Sequence, residues 1–138
     1  MSLHTGLLTL ETEGSAHVID LTEGVRRVVA ASGVAHAVAS VFVGGSTAAI
    51  TTMEYEPGGV ADLRALLARL APEGPEYAHN TLNGDDNAHA HLRASLIGPS
   101  LTVPVVGGDL ALGTWQQIVL IDFDDRPRRR EVHVQVVG

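Results

Sequence analysis

Short runs of alternating or β-branched residues dominate the chain, and helical spacing of apolar positions surfaces in only a few segments. Leu7, Thr9 and Glu11 stand against Leu8, Leu10 and Thr12, a period of two that predicts a first strand. A second follows over residues 16 to 19, with Gly14-Ser15 as the hairpin turn between them. Asp20-Leu21-Thr22-Glu23 reads as a capping box, with Asp20 as N-cap and Glu23 reaching back. Val25, Val28 and Val29 then share one helical face, and Gly33 supplies the stop.

Residues 35 to 43, small and β-branched, predict a buried strand, and residues 46 to 54 another after the Gly44-Gly45 break. In an extended chain Thr52 and Glu54 project to the same side. Leu63, Leu66, Leu67 and Leu70 make the apolar stripe of a helix over 60 to 70, closed by Pro72, Gly74 and Pro75. Residues 88 to 97 suit a short helix capped by Asn87 or Asp86, or a segment that starts extended. Residues 101 to 106, 109 to 112, 115 to 123 and 131 to 137 predict four strands, the last two joined by an Asp124-Asp125-Arg126-Pro127 hairpin. The expected architecture is a single α+β domain over residues 1 to 138, with antiparallel, sandwich-like sheets and two or three helices.

Composition narrows the chemistry. No apolar run approaches the roughly 18 residues of a membrane helix, and Met1-Ser2-Leu3-His4 lacks a signal-peptide start, so a cytoplasmic location is expected. The net charge of −7 argues against nucleic-acid binding. With no cysteine, any metal falls to histidine, carboxylate or amide oxygen. All nine basic residues are arginine, which removes Schiff-base and phosphate-loop lysines.

Candidate chemistry concentrates between His79 and Leu92, fourteen residues that hold three of the seven histidines with two aspartates and three asparagines. Asn83-Gly84 marks a turn that can fold His79 back towards His89 and His91, a grouping of imidazoles that zinc selects. A polar surface loop with solvated histidines is the plain alternative. If residues 88 to 97 are helical, His89 and His91 point about 200° apart and cannot both face one ion. If the segment starts extended, they share a face.

Several short motifs occur in a telling order: Ser46-Thr47-Ala48-Ala49-Ile50-Thr51, then Glu54, Tyr77-Ala78-His79, Asn87-Ala88-His89-Ala90-His91-Leu92, Ala94-Ser95-Leu96-Ile97-Gly98 and Leu112-Gly113-Thr114-Trp115-Gln116. Together they resemble the YjbQ family, UPF0047, the secondary thiamine-phosphate synthases, over about residues 7 to 138. The resemblance implies a compact α+β homotrimer, a histidine-rich site able to hold zinc, and a weak thiamine-phosphate-synthase activity. His79 and His91 fall on the family's histidine positions, Glu54 on its glutamate and Gln116 on its glutamine. Many members carry a histidine where this chain has Gly45, and His89 is the expected substitute.

The reaction so implied joins a pyrimidine pyrophosphate to a thiazole phosphate and expels pyrophosphate, whose charge must be neutralised by a divalent ion or by arginines. The expected metal ligands are His79, His89 and His91, with zinc favoured and magnesium possible alongside a pyrophosphate substrate. The expected catalytic residues are Glu54, Gln116, Ser46 and Thr47: a ligand or proton acceptor, an orienting amide, and a pocket of hydroxyls and backbone N–H groups after two glycines. Duller readings stand beside these, with Ser46 and Thr47 as plain strand residues, Trp115 in the core, and Arg126 to Arg130 as a solvated hairpin balancing Asp122, Asp124 and Asp125. Two other functions fit the same motifs: a metal-assisted hydrolase of small phosphorylated compounds, and a non-enzymatic trimeric metal- or ligand-binding module.

Overall fold

A computed structural model describes residues 1 to 74 and 76 to 138, so Pro75, expected among the helix-closing residues, lies outside the described set. The element order is β1 (Leu3–Thr12), β2 (His17–Asp20), α1 (Thr22–Ser32), β3 (His36–Val43), β4 (Ala48–Met53) and α2 (Pro57–Leu70). It continues with α3 (Ala78–Asn83), α4 (Ala88–Ile97), β5 (Ser100–Val106), β6 (Asp109–Leu110), β7 (Gln117–Asp122) and β8 (Arg128–Val137).

The strands form two antiparallel sheets, ordered β1-β8-β3-β5-β6 and β2-β7-β4. Alternation sorts the larger sheet: Ala39, Val41 and Val43 of β3 and Val132, Val134 and Val136 of β8 point inward and are buried. They meet Val25 and Val29 of α1 and Ile118 and Leu120 of β7 in the main core. β7 is central in the smaller sheet and reads as an unbroken apolar run because both its faces are covered. Val119 and Ile121 face the second core, where Leu67 of α2 and Ala90 and Ala94 of α4 pack. The result is three layers: the large sheet, the small sheet with α1 in the main core, and α2 and α4 on the far face of the small sheet. The outer face of the large sheet is mixed: Leu3, Val137 and Val38 share one cross-strand row and Leu7 and Phe42 flank His133, all five exposed, with Thr5, Gln135 and Ser40 between the rows.

The α+β class and paired antiparallel sheets are as the sequence predicts. The described residues form four helices, the additional one being α3. The two expected hairpins are corners instead. β1 pairs β8 in the large sheet while β2 pairs β7 in the small one, so the chain changes sheets at Gly14-Ser15-Ala16 and again at residues 123 to 127. The first corner needs three consecutive left-handed residues, with φ of 76° at Gly14, 54° at Ser15 and 64° at Ala16. The two corners stack, with Ser15 N–H donating to the Asp124 carbonyl at 2.7 Å.

Smaller differences have local causes. Asp20 does not make a capping box; its Oδ1 accepts from the Thr22 N–H at 2.9 Å and hydroxyl at 2.6 Å, while Glu23 pairs with Arg26 at 2.9 Å. α2 begins at Pro57 because Glu56 caps the N–H groups of Gly58 and Gly59. Trp115, expected in the core, is 71% exposed in the turn closed by Gln116 N–H and the Gly113 carbonyl.

Candidate functional site

Three chain corners converge where β1 hands over to β2, β3 to β4 and β7 to β8. Corners interrupt strand ladders, so their polar groups need other partners. Here they find them in a buried network. Arg130 Nε donates to Asp122 Oδ2 at 2.7 Å and Nη2 donates to Asp122 Oδ1 at 2.9 Å, a bidentate fork. The same Nη2 donates to Thr47 Oγ1 at 2.7 Å, and that hydroxyl donates to Asp124 Oδ2 at 2.9 Å. The Thr12 hydroxyl donates to Asp122 Oδ2 at 2.6 Å, and Arg128 Nε donates to Asp124 Oδ2 at 2.8 Å.

Burial pushes both carboxyls up, but their partners prevail. Hydrogen bonds from Arg130, Thr12 and the Asp124 N–H, with the Arg130 charge, hold Asp122 below its ordinary 3.8. Contacts with Asp125, Thr47 and Arg128 bring Asp124 from 3.8 down to about 2. Asp125 moves the other way, raised by sharing hydrogen bonds with Asp124 and Asp86. The expected solvated arginine hairpin is therefore corrected at its centre: Arg130 is 7% exposed and Asp122 fully buried. Thr47, expected to line a reactive pocket, is buried with its hydroxyl committed on both sides.

On this base sits a histidine pair. His91, on α4, has Nδ1 3.2 Å from the Ser46 carbonyl oxygen. A carbonyl only accepts, so Nδ1 carries the proton and Nε2 keeps its lone pair. His79, on α3, packs against it with ring centroids 4.7 Å apart and planes at 63°. Its Nε2 lies 2.9 Å from Asn87 Oδ1 and 3.8 Å from Asp85 Oδ2, and its Nδ1 lies 3.5 Å from Asn83 Nδ2. The consistent assignment has Nε2–H donating to Asn87 and Nδ1 facing the Asn83 amide. The asparagines, read from sequence as turn and cap residues, orient the His79 ring. Only the His79–Asn83 spacing of four within α3 could have pointed to this, because residues four apart share a helical face; Asn87 reaches the ring from the start of α4.

The structure brings His79, His91 and Ser46 together, with Thr47 in the network beneath them, and leaves His89, Glu54 and Gln116 elsewhere. His89 is on α4 with His91, and two helical positions differ by about 200°. It faces inward, 6% exposed, with Nδ1 unpartnered, and does not take the place of an imidazole at Gly45. Glu54 and Gln116 lie at the far end of the β4–β7 ladder, where Met53 pairs Gln117, whereas Ala48 pairs Asp122 at the corner end. Six strand residues separate the two ends by roughly 20 Å. Gln116 Nε2 donates there to Thr52 Oγ1 at 3.1 Å, and Glu54 with Met53, Asp62, Leu63 and Leu66 edges a separate cleft of about 420 Å³. Within one chain, then, Glu54 and Gln116 do not act on whatever the histidines hold.

Zinc chemistry needs three or four protein ligands at one point. Among the described residues, no group of three or more histidine, aspartate and glutamate side chains is so arranged. Position 45 supplies none, His89 faces the core, and both ring nitrogens of His79 are engaged by asparagines. Within one chain, the described residues therefore assemble no zinc ligand set. No helix among the described residues is long and apolar enough to cross a membrane.

Comparison with known proteins places the chain. A UPF0047 protein of Methanothermobacter thermautotrophicus is 39% identical over 138 residues, spanning 100% of this chain and 94% of its own. The crystal structure of a YbjQ-like protein of unknown function from Sulfolobus solfataricus superposes with a TM-score of 0.94 at 32% identity, covering 99% of this chain and 98% of that one. A hypothetical protein from Aeropyrum pernix gives a TM-score of 0.89 at 37% identity, covering 97% and 98%. The family description "UPF0047 protein YjbQ-like" matches residues 6–138, and the chain belongs to that family.

Proposed function

We propose that the chain acts on small phosphorylated compounds at the His79–His91–Ser46 corner, as a weak transferase of thiamine-phosphate-synthase type. The observation that carries this reading is the His91 ring, held through Nδ1–H by the Ser46 carbonyl so that Nε2 keeps its lone pair beside His79. In the reaction the thiazole nitrogen forms a bond to the pyrimidine methylene carbon as the carbon–oxygen bond breaks. Pyrophosphate departs with the electron pair, and no redox partner is needed. By taking a proton at Nε2 while Nδ1–H stays on Ser46, His91 becomes an imidazolium whose Nε2–H donates to a pyrophosphate oxygen, and a donor so placed stabilises charge as it develops. Magnesium enters, on this reading, with the pyrophosphate substrate; no step is assigned to a resident zinc.

Growth of a thiamine-phosphate-synthase deletion strain tests the reading. Wild type rescues; His79→Ala and His91→Ala do not, with turnover lowered about a hundredfold. His89→Leu rescues like wild type, because it removes only an unpartnered buried nitrogen. No rescue by wild type, with phosphatase turnover retained, would favour a hydrolase in its place.

The assembly we propose is a homotrimer that buries the outer face of the large sheet. What supports this reading is that Leu3, Leu7, Val38 and Phe42 are 61%, 51%, 49% and 43% exposed on that one face, in two cross-strand rows, and clustered exposed apolar side chains mark association surfaces. Solution mass should correspond to three chains for wild type and fall for Val38→Arg. A wild-type mass of one chain contradicts the proposal.

A further inference from the structure

Arg130 makes its three hydrogen bonds through Nε and Nη2, which leaves Nη1 unused. That nitrogen lies beneath Gly45. A Cβ built at Gly45 falls 2.6 Å from Nη1 and 3.7 Å from Cζ, so any side chain there would sit on the guanidinium. The Gly45 backbone, at φ 131°, also disfavours other residues. Nη1 is not sealed in: among the described residues, the only fully buried side-chain nitrogen or oxygen without a partner is His89 Nδ1. Nη1 of this 7% exposed arginine therefore keeps at least a small contact with solvent, and the side on which a residue at position 45 would cover it is left bare by the glycine. The opening is next to Ser46, whose carbonyl anchors His91.

We infer that Gly45 and Arg130 form an oxyanion site, in which Nη1 donates to an oxygen of a phosphate or pyrophosphate group held beside the histidine pair. The choice of phosphate rests on the proposed function; the opened donor does not. Arg130 faces the carboxylates of Asp122 and Asp124, and Arg128 also pairs with Asp124, so two arginines balance two aspartates. Recognition then depends on a fixed, charge-assisted N–H direction more than on net attraction. Gly45 thus gives access to a donor that lies underneath.

Inorganic phosphate, titrated at low ionic strength without metal, tests this directly. In the wild-type protein the Arg130 guanidinium N–H resonances should shift, together with His91 ring signals. Gly45→Ala, which places a methyl group against Nη1, should bind phosphate about tenfold more weakly or worse. Gly44→Ala should bind like wild type, since an added Cβ there meets nothing within 4 Å. Unmoved Arg130 signals in the wild type, or equal affinity in folded Gly45→Ala, would overturn the inference. If Gly45→Ala does not fold, the wild-type Arg130 signals decide alone. Phosphate binding without strain rescue would refute the transferase reading and leave this site standing.

Discussion

Arg130→Leu should lower stability by about 3 to 5 kcal/mol, because removing one partner strands buried charges that water cannot reach. The side chain lost is the fork on Asp122, at 2.7 and 2.9 Å, and the donor that holds Thr47. Asp122 is 0% exposed and Asp124 1%, so neither carboxylate can turn outward to solvent. Marginal stability of about 5 to 15 kcal/mol makes this a large fraction of the total. Arg130→Lys should fall between wild type and leucine, since an ammonium cannot reproduce the planar two-point contact. Denaturant unfolding at neutral pH reads the difference. A loss below about 1 kcal/mol for the leucine variant would mean that the corners hold without the network.

The same network should make the protein acid-sensitive in a defined window. Asp122 and Asp124 have folded-state pKa values below the ordinary 3.8, Asp124 at about 2. A depressed carboxyl contributes stability above its unfolded value and loses it as pH falls through the folded one. Stability should therefore hold near pH 5 and decline from about pH 4 to about pH 2. For Asp124 the displacement corresponds to on the order of 2 kcal/mol. Asp125, raised by sharing hydrogen bonds with Asp124 and Asp86, works in the opposite direction, and the two carboxyls titrate together. Asp124→Asn should be less stable at pH 6 and show a shallower acid decline. An Asp124→Asn profile parallel to wild type would show that this carboxylate is not the acid-sensitive group.

Much of this fold is written in local periodicity. The alternation of β1, the leucine stripe of α2 and the turn residues between strands each lead to the right kind of element, because each depends on neighbours two to four positions away. What local pattern does not carry is which strand an element joins. Gly14-Ser15 and Asp124–Pro127 are turn residues whether the chain reverses within one sheet or passes to another, and Ala16 at φ 64° follows no residue preference. For Arg130 the balancing aspartates are legible in the sequence but the burial is not, since only the sheet-changing corner places the Arg130–Asp122 fork inside. The histidines illustrate the same limit. Whether His89 joins His91 turns on one fact, the helical state of α4, and that state sends His89 to the core. Glu54 and Gln116 belong to the motifs that carry the resemblance, yet a motif order carries no distances, and the β4–β7 ladder holds them away from the imidazoles.

The account depends on the His91 ring presenting a bare Nε2 beside His79 at the corner that Arg130 supports. Long-range ¹⁵N–¹H correlation spectra of the neutral imidazoles report which nitrogen of each ring bears hydrogen. The prediction is protonated Nδ1 and unprotonated Nε2 for His91, with the reverse for His79. Finding the His91 proton on Nε2 would detach the ring from Ser46 and contradict the site as built.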